Sequence, residues 1–268
     1  MASNIDRTLS KVPAITLGFW IAKIFATTLG ETAGDAVTMS WLGETTPDAS
    51  SAVSGYLIGT GIFGVILLML VLLQIRARKF HPFLYWATIV ASTTAGTTLA
   101  DFATRSLGIG YSGGSILLLV LVLASLGTWK AVEGTVSSDQ IISARTEAFY
   151  WTTITFSQTL GTALGDWAAD PATLGLGYLG GALLFGGLIA LVAILYFATS
   201  INRVALFWAA FILTRPLGAT VGDFLDKPIA KGGLNLSRPL ASAALAAAII
   251  VIVWLTSRRT EENEAAPA

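Results

Sequence analysis

One helix recurs four times in this sequence, and each copy carries a carboxylate at the same place. The copies read FWIAKIFATTLGETAGD (19–35), YWATIVASTTAGTTLAD (85–101), YWTTITFSQTLGTALGD (150–166) and FWAAFILTRPLGATVGD (207–223). Each opens on an aromatic–Trp pair, with Gly ten residues after the Trp, a small residue at fourteen and Asp at fifteen. Each lies in a stretch apolar enough to cross a bilayer, so Asp35, Asp101, Asp166 and Asp223 arrive at one membrane depth. A charge inside a spanning helix is expensive and rarely faces lipid, which makes these carboxylates candidates for a functional site.

The rest of the composition agrees with a membrane setting. The 268 residues are 54% hydrophobic and 12% charged, with a mean hydropathy of +0.72, too apolar for an ordinary soluble domain. Net charge is zero and there is no basic tract, so nucleic acid is not an expected partner. Cysteine is absent and the one histidine, His81, sits in the polar segment RARKFHP, which excludes thiolate and His-rich metal sites. No resident cofactor is expected. A metal handled here takes oxygen ligands, which favours Mg²⁺, Ca²⁺ or Mn²⁺. The first apolar run starts near Val12 and outlasts a typical signal-peptide core, so it reads as a first span.

Apolar runs of bilayer length, about 20 residues, fall near 13–37, 52–75, 82–103, 112–131, 147–169, 175–198, 204–225 and 237–256. The expectation is an all-α polytopic protein: a single membrane domain over 1–268, with eight transmembrane helices as four two-helix repeats at 12–76, 82–133, 147–200 and 203–256. Lys130 and Glu133, three apart at the end of the fourth run, are placed to pair. Asp-to-Asp spacings of 66, 65 and 57 residues make each repeat a two-helix hairpin. Tyr56, Tyr111 and Tyr178, with Asn235 in the fourth unit, recur early in the even spans. All units point the same way, unlike inverted transporter repeats, and stand around a pseudo-fourfold axis or as two pairs. Arg7, Lys11, Arg76, Arg78, Lys79, Lys130, Arg145, Arg203, Arg258 and Arg259 fall on one side, against Arg105, Lys227, Lys231 and Arg238 on the other. By the positive-inside rule both termini and the Trp ends are cytoplasmic and the Asp ends lie outward.

Trp20, Trp86, Trp151 and Trp208, with their G-x-x-x-[GA]-D segments, give the chain a recognisable pattern. It resembles, over about residues 12–256, a bacterial membrane family of four tandem two-helix repeats of unknown function, whose members are labelled membrane-anchored protein. The resemblance implies a multi-pass protein of the bacterial inner membrane and supplies no activity.

Function must therefore come from the residues. Gly30/Gly34, Gly96/Ala100, Gly161/Gly165 and Gly218/Gly222 form small-xxx-small pairs that let helix backbones approach. The residues four and seven before each Asp share its face: Thr28 and Glu31, Thr94 and Thr97, Thr159 and Thr162, but Pro216 and Ala219 in the fourth unit. These oxygens, with Asp35, Asp101, Asp166 and Asp223, are the candidate cation ligands, and the four Asp the candidate metal ligands. A solvated helix end is the other reading of the Asp residues. Arg215-Pro216 puts a permanent cation inside the fourth motif helix and frees the Ile212 carbonyl. Glu31 is its natural partner across units one and four, as a structural lock or as a gate, with Lys23 a further buried charge. Five acids against Arg215 and Lys23 leave three negative charges, which suits a cation. The Tyr residues are either an interfacial belt or partners that orient the carboxylates.

The expected function is a transporter, preferably an exporter, of a small cation such as a divalent metal. Its partners are then the lipid bilayer and the ion, and a homo-oligomer is open. The alternative is an intramembrane acid–base enzyme acting on a lipid. No nucleophile–base constellation, H-E-x-x-H or G-x-S-x-G segment is present, so an enzyme is not expected.

Overall fold

The structure, a computed structural model, describes residues 10–43 and 54–265. Arg7, and most of the GETTPDASS loop between the first two spans, lie outside the described residues. Among those described, every regular element is helical. The long ones are α1 (Leu17–Asp35), α2 (Gly55–Arg76), α3 (Pro82–Asp101), α4 (Gly110–Glu133), α5 (Ala144–Ala169), α6 (Gly177–Ala198), α7 (Arg203–Asp226) and α8 (Arg238–Ala265). Local signals set their ends. Thr16, Ser54 and Asn202 accept backbone N–H groups at the starts of α1, α2 and α7. Ser143 and Thr146 form a reciprocal capping box on α5, and left-handed Gly134 stops α4; each device satisfies end groups the helix cannot bond itself. The motif Asp does not end its helix. Asp35 and Asp101 lead into π-helical turns, Ala36–Trp41 and Phe102–Ser106, while α5 and α7 continue in α form.

Among the described residues, five helices are long and apolar enough to cross a membrane: α2, α4, α6, α7 and α8. The others fall short because their interior faces are polar; α3 alone carries Thr88, Ser92, Thr93, Thr94, Thr97 and Thr98, all buried. The division is physical. Only 11–22% of the apolar stretches of α2, α4, α6 and α8 is covered by protein, against 56% for α7. Residues such as Leu68, Ile116 and Leu183 stand exposed on the former. Apolar helices thus form the outside and polar ones the inside, the reverse of a water-soluble protein and the order lipid favours.

Contacts among the odd helices close on themselves: α1 packs on α3, α3 on α5, α5 on α7, and α7 back on α1. Each even helix lies against the odd helix that follows it, α2 on α3, α4 on α5 and α6 on α7, with α8 returning to α1. The two helices of one sequence repeat make little contact with each other. The hairpin expected from the Asp spacing is therefore a unit of sequence, and the packing unit is shifted by one helix. A glycine fits that choice on α6, where a Cβ on Gly181 would fall 2.8 Å from Thr220 of α7; Gly114 of α4 makes its own close approach to Thr104, in the turn after α3, at 2.8 Å.

Glycines also set the inner ring. The first motif Gly of each unit faces the residue seven after the Trp in the next unit. A Cβ on Gly30 would lie 2.1 Å from Thr93, on Gly96 2.9 Å from Gln158, on Gly161 2.2 Å from Arg215 and on Gly218 2.2 Å from Thr27. Backbones this close leave no room for a methyl group, the packing role small residues serve in membranes. At the other end the aromatic pairs interlock in the same order. Ring centroids of Phe19 and Trp86 are 5.5 Å apart, Tyr85 and Trp151 5.6 Å, Tyr150 and Trp208 6.3 Å, Phe207 and Trp20 5.9 Å. Glu133 does not take Lys130; it pairs with Arg145 at 2.5 Å, across the turn that follows α4.

Candidate functional site

Side chains four apart stack along one helix face, and in the odd helices this row points to the middle of the ring. Counting from each Trp, position three is Lys23, Ile89, Ile154 and Phe211; position seven is Thr27, Thr93, Gln158 and Arg215. Position eleven is Glu31, Thr97, Thr162 and Ala219, and position fifteen the four Asp. Arg215 establishes the axis, because one nitrogen reaches three other helices. Its Nη2 donates to Glu31 Oε2 at 2.9 Å, to Thr97 Oγ1 at 2.6 Å and to Thr162 Oγ1 at 2.5 Å. Arg215 is fully buried and Glu31 is 3% exposed.

The four Asp are buried as well, but they do not stand free. Lys227 Nζ bridges Asp35 Oδ2 and Asp223 Oδ1, the latter at 3.0 Å. Arg105 bridges Asp101 and Asp166, each at 3.1 Å. Helix contacts therefore make a ring while the carboxylates make two pairs. Both cations sit four residues after an Asp of their own chain segment, the spacing that brings side chains together on a helix. Lys227 is held by the loop behind it, where the amides of Leu234 and Leu236 donate back to the Phe224 and Leu225 carbonyls at 2.7 and 2.9 Å. Burial alone would lower the Lys227 pKa, but Asp223, Asp35 and Asp226 outweigh it and hold the ammonium well above its usual value. Tyr56 joins through the cation: its hydroxyl accepts from Arg105 Nη1 at 3.1 Å.

The sequence count of three excess negative charges needs correction. It assigned Arg105 and Lys227 to outer loops, and both fold inward. Counted as formal charges, the Asp layer carries four carboxylates and these two cations, hence two negative charges, while Glu31, Arg215 and Lys23 leave one positive charge deeper in. Acceptors remain in the lower layer. One oxygen each of Glu31, Asp35 and Asp223 lie within 4.8 Å of one another, and Asp35 Oδ1 is buried without a hydrogen-bond partner. Such a set of hard oxygens can hold a divalent cation if Lys227 moves away.

The remaining expected residues divide by one step of helix rotation. Thr97 and Thr162 meet Arg215, but Thr28, Thr94 and Thr159 donate to their own helices, at Ile24 O, Val90 O and Thr155 O, 2.9–3.0 Å away. Their spacing of seven from the Asp places them off the axial row, which runs at four and eight. That row instead presents Thr27 and Thr93, whose hydroxyls cross to Thr214 O at 3.1 Å and Ala26 O at 3.2 Å, together with Gln158. Lys23 is fully buried, with Nζ 3.3 Å from Thr214 Oγ1 and 4.0 Å from the Phe211 ring centre. Arg105 and Lys227 were missed as partners. The i,i+4 spacing to Asp was the available signal for both; Gln158 stands at the position equivalent to Thr27, Thr93 and Arg215, and its amide makes no hydrogen bond.

A sheath of apolar helices around a buried polar column is the build of a membrane-embedded protein with a charged interior. The chain belongs to the family described as Repeat of Unknown Function (DUF347), whose model matches residues 18–80, 84–135, 149–202 and 206–261. Each matched segment opens one residue before its aromatic–Trp pair. No curated protein and no solved structure matches the chain.

Proposed function

We propose that all eight helices cross a bacterial inner membrane around a pseudo-fourfold axis, Trp ends cytoplasmic, and that the protein exports a small cation, a divalent metal ion. The observation that carries the reading is the trio Glu31, Asp35 and Asp223, buried on α1 and α7 with their oxygens within 4.8 Å, inside an Asp layer two charges negative. A divalent ion taking the place of the Lys227 ammonium brings that layer from two negative charges to one. Lys227 occupies the resting position between Asp35 and Asp223, so ion entry exchanges a tethered ammonium for a free cation. The exchange limits the electrostatic cost of an empty site in a medium where unpaired charge is heavily penalised. Polar α1, α3 and α5 qualify as spans in this arrangement because the apolar helices shield them.

Multi-element analysis of cells with the gene deleted, restored or overexpressed tests the reading. One divalent metal is expected to fall in cells making the wild type, and to stay at the deletion level with Asp35→Asn or Asp223→Asn, at equal membrane abundance. Unchanged metal content across the panel, or full activity of both Asn variants, would refute it.

A further inference from the structure

The mechanism above leaves a group of buried donors unused, on the aromatic side of the Glu31–Arg215 pair. Arg215 spends only Nη2 on Glu31, Thr97 and Thr162; its Nε and Nη1 have no hydrogen-bond partner. Gln158 lies one turn before Thr162 on the axial row of α5, and neither of its amide atoms is bonded. Ser157 Oγ beside it is likewise unbonded. Lys23 approaches from α1 and gives Thr214 one long hydrogen bond of 3.3 Å. Lys23, Ser157, Gln158 and Arg215 all have zero exposure. Buried polar groups are normally satisfied, and each one left unmade costs about 1–3 kcal/mol.

Charge identifies what satisfies them. Lys23 and Arg215 repel when both are charged, and no acid is paired with Lys23 among the described residues. With Lys23 protonated and Glu31 counted, this part of the core holds one excess positive charge, which an anion offsets. The layer is also asymmetric in bulk: Thr27 and Thr93 are short and turn their hydroxyls onto neighbouring carbonyls, opposite the long Gln158 and Arg215. Below it, Ile89, Ile154 and the Phe211 ring form an apolar floor.

We infer that Lys23, Arg215 and Gln158 form a binding site for one small monovalent anion on the axis of the odd-helix ring. The unbonded guanidinium edge of Arg215 and the free amide of Gln158 share one layer of the axial row with the Lys23 ammonium in the layer below, and one negative charge neutralises the formal excess. A divalent anion would overcompensate it, and a cation would add to the repulsion. The site adjoins the proposed cation trio through the Arg215–Glu31 bond of 2.9 Å, and its argument rests on none of that reading.

Chloride is the probe. The purified protein in detergent, with chelator and no divalent cation, is titrated from potassium gluconate into potassium chloride at constant ionic strength. Melting temperature is followed, and bound ³⁶Cl⁻ is measured by equilibrium dialysis. A saturable rise in melting temperature with one chloride per chain is expected. Gln158→Leu and Lys23→Met should each weaken binding at least about tenfold while retaining a monodisperse protein, since neither touches the Glu31 pair. No saturable chloride binding to the wild type up to about 300 mM, or equal binding by both variants, would mean that water alone fills these bonds and would overturn the inference. Because divalent ions are absent throughout, that failure leaves the cation reading standing.

Discussion

Neutralising Glu31 and Arg215 singly and together measures how much of the core depends on their pairing. Arg215 holds three acceptors with one nitrogen. Glu31→Gln keeps an oxygen in the same place but turns a charge-assisted bond into a neutral one, a loss of about 1.5–3 kcal/mol. Arg215→Gln withdraws the cation and leaves Glu31, 3% exposed, with the long 3.3 Å contact to Thr97; stranding a buried charge in this way costs about 3–5 kcal/mol. In the double variant neither charge is present, so the stranding penalty vanishes. Two neutral amides then retain Thr97 and Thr162 as partners.

If pairing governs the energetics, the double variant is more stable than Arg215→Gln alone, with a coupling of about 2 kcal/mol or more. For a chain of this size each kcal/mol corresponds to about 2–4 °C of melting temperature. The expected order is wild type, then Glu31→Gln, then the double variant, then Arg215→Gln lowest by about 10 °C. The assay is the loss of the monodisperse chromatographic peak after heating aliquots of detergent-purified protein in one buffer. Additive losses within about 0.5 kcal/mol, with the double variant melting lowest, would show that the two charges do not depend on each other.

Gly161→Ala should lower the melting temperature more than any other single methyl addition on α5, because its Cβ would sit 2.2 Å from Arg215 Cγ. Gly187→Ala on α6, with open space around it, should raise stability by up to about 1 kcal/mol through helix propensity; equal behaviour of the two would refute the close-approach argument. Lys227→Met should destabilise the protein by leaving Asp35 and Asp223 uncompensated. The Lys227 pKa is raised on folding, so its contribution is complete below the unfolded value of about 10.4 and fades only as pH climbs through the folded one. The melting difference between wild type and Lys227→Met should therefore stay constant from about pH 6 to about pH 9, and a difference that shrinks in this window would contradict the assignment.

Much of the core was legible because the repeat fixes depth. Residues equidistant from four Trp markers meet in layers, and this alone aligns Glu31 with Thr97 and Thr162 at the level Arg215 reaches. Two features were harder to read. A stripe of four and seven approximates one helix face as well as a stripe of four and eight, and only the inward tilt of packed helices decides between Thr28 and Thr27. Arg105 and Lys227 follow the apolar runs and so read as loop charges, although each stands one turn beyond an Asp. The partner of each even helix was also hidden, because sequence adjacency favours the preceding odd helix while the packing, with Gly181 of α6 against Thr220 of α7, takes the following one.

The departures from fourfold equivalence bear on where an ion can travel. A pore along the axis needs the axis clear, and Arg215 closes it by spanning to α1, α3 and α5 at once. The aromatic ring closes it again one end further along. By contrast Glu31, Asp35, Asp223 and Lys227 all belong to the seam between α1 and α7, where Gly218 and Gly222 bring the backbones together. The α3–α5 seam has Asp101 and Asp166 but, at the level of Glu31, only Thr97 and Thr162, and its cation is an arginine, which does not surrender its charge. A path through the α1–α7 seam therefore predicts unequal Asp variants: Asp35→Asn and Asp223→Asn abolish metal efflux, while Asp101→Asn and Asp166→Asn, which disturb the Arg105 clamp, reduce abundance more than efflux per molecule. Efflux measured in vesicles and normalised to protein separates the two. Equal loss per molecule for all four would place the ion on the axis, and Arg215 would then have to move with every transport cycle.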